Sequence, residues 1–193
     1  MSVGATLYLR VEIKDDQVSG QKVVVVWQAE IFTVLKTANV KQVSYVPDAG
    51  HAKLIELLAQ DEAIKSVPLT TEEEGVALAA GAWLGGDRSV LLMQSSGVGN
   101  CVNMFSLMGA CRLPLLALVT MRGEFGEMNP WQMPMGAGTP TVLEAMGVRV
   151  LRVNQATEAA ETVAAAAVMA FDADQAVAVL FSQRLLGAKR WSK

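Results

Sequence analysis

Three uninterrupted apolar runs constrain the fold of this 193-residue chain more than any other feature. They read SVLLMQ at residues 89–94, PLLALVTM at 114–121 and AVAVLF at 176–181. A strand with one face in water alternates apolar and polar residues, so strands without that alternation are buried on both faces. Segments with helical spacing separate these strands. The pattern predicts a doubly wound α/β fold, in which helices cover both faces of a parallel sheet.

The remaining elements are assigned from the same patterns. We expect further strands at residues 40–46, 64–69 and 148–153, and helices at 52–59, 141–146 and 157–171. One more helix begins at Glu72, and another follows a glycine turn at residues 95–100. Residues 23–38 are ambiguous, because four β-branched valines precede a stretch with helical spacing. The Gly-, Pro- and Met-rich residues 122–139 predict a loop.

Residues 1–22 do not fit this alternation, and we interpret them as an N-terminal extension or an extra edge strand. Residues 23–193 then form one domain of ordinary size. A net charge of −3 without a basic run argues against a nucleic-acid partner. No apolar run reaches the roughly 20 residues that span a bilayer, and the start does not resemble a signal peptide.

The two cysteines, Cys101 and Cys111, are expected to be small buried hydrophobic residues of a cytoplasmic protein. With one histidine and no cysteine cluster, we expect no metal site built by this chain.

Polar residues follow several predicted strands, at the point where ligands bind in open α/β sheets. Asp48, Glu72, Arg122 and residues 95–100 should therefore lie along one edge of the sheet. Residues 96–100, SGVGN, are either a packing turn or a ligand-binding turn. They lack the third glycine of a dinucleotide fingerprint and the Gly-Lys-Ser/Thr of a P-loop.

Each candidate also has a simpler structural explanation. Glu72 is one of three glutamates at a helix start, where acids are favoured, and Thr71 and Glu74 have capping-box spacing. His51 could be a proton shuttle, an anion contact or a surface residue at a helix start. Arg122 could bind an anionic substrate or pair with Glu124 or Glu127.

Taken together, these motifs resemble one family. Glu72 followed by GVALAAGAWLGG resembles the pyrimidine-binding domain of thiamine diphosphate-dependent decarboxylases. In that pattern the glutamate lies nine residues before the last small residue of the run, which here is Gly81. VPDAGH at residues 46–51, MQSSGVGNCVN at 93–103 and RLPLLALVTMRGEFGE at 112–127 are similar to phosphonopyruvate and sulfopyruvate decarboxylases.

The resemblance implies roles for individual residues. Glu72 would bind the ring nitrogen of the cofactor's aminopyrimidine, with Pro47, Gly97, Gly99 and Asn100 around it. Asp48 and His51 would assist proton transfer. Gln94, Ser95 and Arg122 would contact a 2-keto acid substrate.

Two departures refine this interpretation. Ser95 replaces the Asn of the family's Gln-Asn-Ser-Gly run. The chain also lacks the Gly-Asp-Gly…Asn motif with which this family holds magnesium and diphosphate. The resemblance therefore implies an alpha subunit in a hetero-oligomer, with Mg²⁺ and diphosphate held by a beta subunit.

Two other interpretations stay open from the sequence. One is a non-catalytic subunit of the same fold that regulates its partner. The other is a flavodoxin-like nucleotide-binding module with a coincidental glycine turn.

Overall fold

The computed structural model describes residues 27–188. The extension predicted at residues 1–22 and the valines at 23–26 lie outside that range. Thirteen helices and strands follow in chain order: α1 Trp27–Thr37, β1 Val40–Tyr45, α2 Ala52–Ala59, β2 Lys65–Pro68, α3 Glu72–Leu84, β3 Arg88–Gln94, α4 Ser95–Cys111, β4 Leu115–Thr120, α5 Met133–Ala145, β5 Arg149–Val153, α6 Ala159–Phe171, β6 Ala176–Phe181 and α7 Gln183–Leu186. Short 3₁₀ turns precede α5 and α6, at Pro130–Gln132 and Ala156–Glu158.

The six strands form one sheet in the order β2-β1-β3-β4-β6-β5, and every neighbouring pair is parallel. The three apolar runs that predict buried strands are β3, β4 and β6, which are neighbours in the sheet. The predicted doubly wound parallel sheet is confirmed.

Alternate residues of the central strands point into two separate cores. Leu92 of β3 and Leu118 of β4 pack with α1, α2 and α6 on one face. Leu91 and Met93 of β3 pack with α3, α4 and α5 on the other. Because both faces are covered, the strands carry no polar alternation, and polar chemistry is confined to the ends of the strands.

Two predicted boundaries are wrong for the same reason. Residues 95–100 are not a turn before a helix, because α4 begins at Ser95 directly after β3. The loop predicted at residues 122–139 ends early, since α5 begins at Met133 rather than at residue 141. Pro134 stands in the first helical turn, where its missing N–H costs nothing. Glycine and proline predict the end of a helix, but at these positions tertiary packing accommodates them within α4 and α5.

Gly136 shows what that packing requires. A Cβ atom there would lie 2.3 Å from the backbone oxygen of Arg122 and 2.8 Å from the Cα of Gly123. Helix α5 therefore packs directly on the backbone that follows β4. At Gly138, on the same helix, a Cβ would meet nothing within 4 Å.

We predict opposite effects for alanine at these two glycines. Gly136→Ala should lower the free energy of unfolding by about 2–3 kcal/mol, because backbone atoms must move to admit the methyl group. Gly138→Ala should leave stability unchanged or raise it by up to about 1 kcal/mol, from the better helix propensity of alanine. Urea unfolding of the two variants checks this; equal effects would contradict the described packing of α5.

Candidate functional site at the carboxyl edge of the sheet

The residues singled out in the sequence lie at the carboxyl edge of the sheet. Asp48 follows β1, Glu72 begins α3 after β2, Gln94 ends β3 and Arg122 follows β4. They belong to three hydrogen-bonded groups rather than to one cluster of contacting side chains. These groups are described in turn.

Glu72 is the inward-facing member of the glutamate run. It is 8% exposed, whereas Glu73 and Glu74 are exposed. Its Oε2 accepts a hydrogen bond of 2.7 Å from the Nδ2 of Asn100. Within residues 27–188, Oε1 accepts no hydrogen bond. Glu74 instead accepts from the backbone N–H groups of Thr70 at 2.9 Å and Thr71 at 3.5 Å, as a capping glutamate does.

Gly97 provides the space for the Glu72 side chain. A Cβ atom at Gly97 would lie 2.5 Å from the Cγ, Cδ and Oε1 atoms of Glu72. The carboxylate therefore lies directly against the backbone of the first turn of α4. A Cβ at Gly99 would meet the Sδ of Met135 at 3.3 Å. The two glycines of the SGVGN segment thus accommodate a glutamate and a methionine of this same chain.

Asp48 anchors a second group. Its Oδ2 accepts from the Oγ1 of Thr120 at 2.6 Å and from the N–H of Gly50 at 3.0 Å. Its Oδ1 accepts from the Nε2 of Gln94 at 2.9 Å, and the Oε1 of Gln94 accepts from Ser96. The carboxylate is held by donors from the β1–α2 connection, β3 and β4, which fixes it in one orientation.

A shallow cleft of about 430 Å³ opens beside this group. Its lining residues come from the β1–α2 connection and α2: Pro47, Asp48, Ala49, Ala52, Ile55 and Glu56. A larger cleft of about 790 Å³ lies at the opposite end of the strands, next to Arg112 and Arg149, and does not include any predicted site residue.

His51 is completely buried, so the expectation of a surface histidine is wrong. Its Nε2 lies 3.0 Å from the carbonyl oxygen of Leu118, so Nε2 carries the proton and donates. The ring meets Phe181 edge-on, with centroids 6.1 Å apart. Burial lowers the pKa of His51, against the opposing charge of Asp48. The neutral ring packs below Asp48 and is shielded from the cleft.

Arg122 is paired rather than free. Its Nε and Nη2 donate to the two oxygens of Glu127 at 2.6 and 2.7 Å, which is a bidentate ion pair. The Glu127 side chain is 2% exposed. It also accepts from the N–H groups of Gly123 and Asn129 and from the Nε2 of Gln183. These donors, Arg122 foremost, lower the pKa of Glu127 to about 2. Of the two partners expected for Arg122, Glu127 is the correct one.

Gln183, at the start of α7, connects this ion pair to the backbone of the segment that follows β4. It is fully buried, and its Oε1 accepts from the N–H groups of Glu124 and Phe125, both at 2.9 Å. Glu124 in turn forms an ion pair with Arg152 of β5. The Nε of Arg152 also donates to the Oδ1 of Asn154. The sequence reading missed Gln183, because only the neighbouring positions of β4 and β6 bring it to Glu127.

Ser95 and Cys101 are buried, whereas Cys111 is exposed. Ser95 is fully buried, and its Oγ accepts from the backbone N–H of Arg122 at 3.1 Å. Cys101 is buried, as predicted, and burial raises its thiol pKa to about 12. Cys111 is exposed, so that prediction was wrong.

The described part of the chain contains neither a cluster of metal ligands nor a membrane-spanning helix. Between residues 27 and 188, no three His, Cys, Asp or Glu side chains come together to hold a metal ion. Over the same residues, no helix has the length and apolarity needed to cross a membrane.

Comparison with known proteins shows the family of the chain. The chain is 32% identical over 152 residues to the sulfopyruvate decarboxylase subunit alpha of Methanocaldococcus jannaschii, covering 78% of this chain and 90% of that protein. The chain belongs to the sulfopyruvate decarboxylase alpha-subunit family. The family predicted from the Glu72, SGVGN and RGE motifs is confirmed.

Two further comparisons extend the assignment. A phosphonopyruvate decarboxylase of Streptomyces viridochromogenes is 33% identical over 140 residues, which cover 72% of this chain and 35% of that protein. A 2-oxoglutarate:ferredoxin oxidoreductase from Magnetococcus marinus, solved with 2-oxoglutarate, coenzyme A and succinyl-CoA bound, has the same fold. Its TM-score is 0.64 at 13% identity, over 83% of this chain and 29% of that one. The sequence matches no protein-family model.

The Glu127 ion pair predicts a specific acid dependence of stability. The folded pKa lies below the unfolded value of about 4.3, so the stabilisation is present above pH 5 and is lost as pH falls towards 2. Glu127→Gln should lower the free energy of unfolding by about 2 kcal/mol at pH 7, and this deficit should shrink by about half at pH 3. Urea unfolding at both pH values measures it.

The exposed Glu73 provides the control. Glu73→Gln should change stability by less than about 0.5 kcal/mol at either pH. A Glu127→Gln deficit that stays constant between pH 7 and pH 3 would show that the ion pair does not act as described.

Proposed function

We propose that this chain is the pyrimidine-binding alpha subunit of a thiamine diphosphate-dependent sulfopyruvate decarboxylase. The observation that carries the proposal is the Glu72 carboxylate, which is buried against Gly97 with one oxygen held and the other unoccupied within the described residues. An oxygen of this kind is what a protonated ring nitrogen requires. The membership of the alpha-subunit family supports the same conclusion.

The cofactor's aminopyrimidine ring would bind beside Glu72. Pro47, Gly97, Gly99 and Asn100 lie at the same sheet edge and would hold that ring. When bound, the cofactor supplies the electron sink that allows a 2-keto acid to lose carbon dioxide. Glu72 would hold and exchange the proton of the ring nitrogen, since its Oε1 accepts no hydrogen bond within residues 27–188 and can accept from the ring N–H.

The remaining residues would serve the substrate. Asp48, fixed by three donors, would pass a proton to the reacting carbon, with the neutral His51 packed beneath it. Gln94 is bound to Asp48 and would face the keto acid from β3. Ser95 would act indirectly, because its hydroxyl holds the backbone of Arg122. Arg122 retains Nη1 as a donor for an anionic substrate group.

A partner completes the proposed site. The chain has no Gly-Asp-Gly…Asn motif, so a beta subunit would hold Mg²⁺ and the diphosphate, with the cofactor between the two chains. Both described cysteines are free, in keeping with a cytoplasmic enzyme. Phosphonopyruvate is the second candidate substrate, favoured by the match to a phosphonopyruvate decarboxylase.

We predict that Glu72 and the exposed Glu73 differ in their effect on catalysis. In enzyme reconstituted with its beta subunit, Glu72→Gln should lower kcat by about 10²-fold or more, because an amide cannot exchange the ring proton. Glu73→Gln should retain activity within about twofold. Carbon dioxide release from sulfopyruvate and phosphonopyruvate is the measurement. Full activity of Glu72→Gln would leave a non-catalytic subunit as the better interpretation.

A second prediction concerns the space at Gly97. Gly97→Ala must displace the carboxylate end of Glu72, which is a flexible side chain, so stability should change by less than about 1 kcal/mol. The reconstituted activity should nevertheless fall by about tenfold or more, because a displacement of this size spoils catalytic geometry.

Gly109 is the matched control on the same helix, since a Cβ there meets nothing within 4 Å. Gly109→Ala should keep both stability and activity. Unchanged activity in Gly97→Ala would mean that the described position of Glu72 is not the working one.

A further inference from the structure

Glu72 depends on a single side chain for its orientation. The Nδ2 of Asn100 donates to Oε2 at 2.7 Å. No other donor within the described residues reaches this carboxylate. Gly97 and Asn100 are three residues apart on α4 and so lie on one face of the helix. Gly97 provides the space for the Glu72 side chain, and Asn100 donates the hydrogen bond that orients its carboxylate.

We propose that Asn100 is a positioning residue, which acts on the reaction by holding Oε2 of Glu72 and thereby leaving Oε1 as the oxygen that meets the cofactor's ring nitrogen. This inference rests on the proposed function, and it changes the role that the resemblance gives Asn100. The amide would serve the glutamate rather than the cofactor. An unheld carboxylate could rotate about its last bond and would present its two oxygens without distinction.

Two features of Asn100 suit this role. The residue is exposed, so its removal should not unfold the chain. Its amide cannot ionise, so it donates at every pH at which the protein is folded. Other titratable groups close to Glu72 are the neighbouring Glu73 and the thiol of Cys101, whose pKa of about 12 keeps it protonated in the working range.

The first test needs neither cofactor nor partner. In the full-length chain alone, the Nδ2–H resonances of Asn100 in ¹⁵N–¹H NMR spectra at pH 7 should move in Glu72→Gln, because a neutral amide is a weaker acceptor than a carboxylate. They should keep their wild-type positions in Glu73→Gln. Unchanged Asn100 resonances in Glu72→Gln would overturn the proposed contact, whatever the protein's function.

The second test uses the enzyme reconstituted with its beta subunit. Asn100→Ala should lower kcat by about 10–100-fold, the range expected for one hydrogen bond to a charged group, with little change in the KM for the keto acid. Asn103→Ala is the control, since Asn103 is an exposed asparagine one turn further along α4. It should behave as wild type.

Asn100→Asp tests the donor itself. A carboxyl at this position donates only when it is protonated, so the variant should be more active relative to wild type at pH 5 than at pH 8. A loss that does not depend on pH would indicate a structural role only and would contradict the proposal. If Glu72→Gln is inactive while Asn100→Ala is fully active, the inference fails and the proposed function stands. If Glu72→Gln is fully active, the proposed function itself fails.

Discussion

Burial of the sheet on both faces is the constraint from which the site follows. The side chains of β3, β4 and β6 are buried in two hydrophobic cores, one on each face of the sheet. A polar group within these strands would have to be buried without water. Functional groups can therefore stand only where strands end and chain direction changes. Because all six strands are parallel, their carboxyl ends meet at one edge and bring distant sequence segments together.

Three of the carboxylates at that edge differ in how many donors they have. Glu127 accepts five hydrogen bonds, from Arg122 twice and from Gly123, Asn129 and Gln183. Asp48 accepts three. Glu72 accepts one. Glu127 is saturated with donors and fixes structure, whereas Glu72 has an oxygen that accepts no hydrogen bond within residues 27–188 and can bind a donor from a ligand. This difference separates Glu72 from the others on physical grounds alone.

Much of this could be predicted from the sequence, and the failures share a cause. The apolar runs predict the central strands because burial on both faces leaves a local pattern. The resemblance to the decarboxylase pattern, in which the glutamate lies nine residues before the last small residue, identifies Glu72 rather than Glu73 or Glu74 as the inward-facing glutamate. The contact of His51 with Leu118 and that of Glu127 with Gln183 could not be predicted. His51 meets Leu118, 67 residues away, and Gln183 meets Glu127, 56 residues away. Those contacts depend on the order of strands in the sheet, which no short segment encodes.

The ion pair of Arg122 limits how this side chain can serve an anionic substrate. Nε and Nη2 are engaged by Glu127, whose carboxylate is almost completely buried. A sulfonate or phosphonate that took both donors would leave that carboxylate buried beside a second anion, at a cost of several kcal/mol. Binding through Nη1 avoids this cost, because the pair stays intact. Such a contact would involve one nitrogen and a guanidinium whose charge is already largely compensated. Under the proposed function, the greater part of the positive charge that a dianionic substrate needs would therefore come from elsewhere, and a partner chain that meets this edge would be its source.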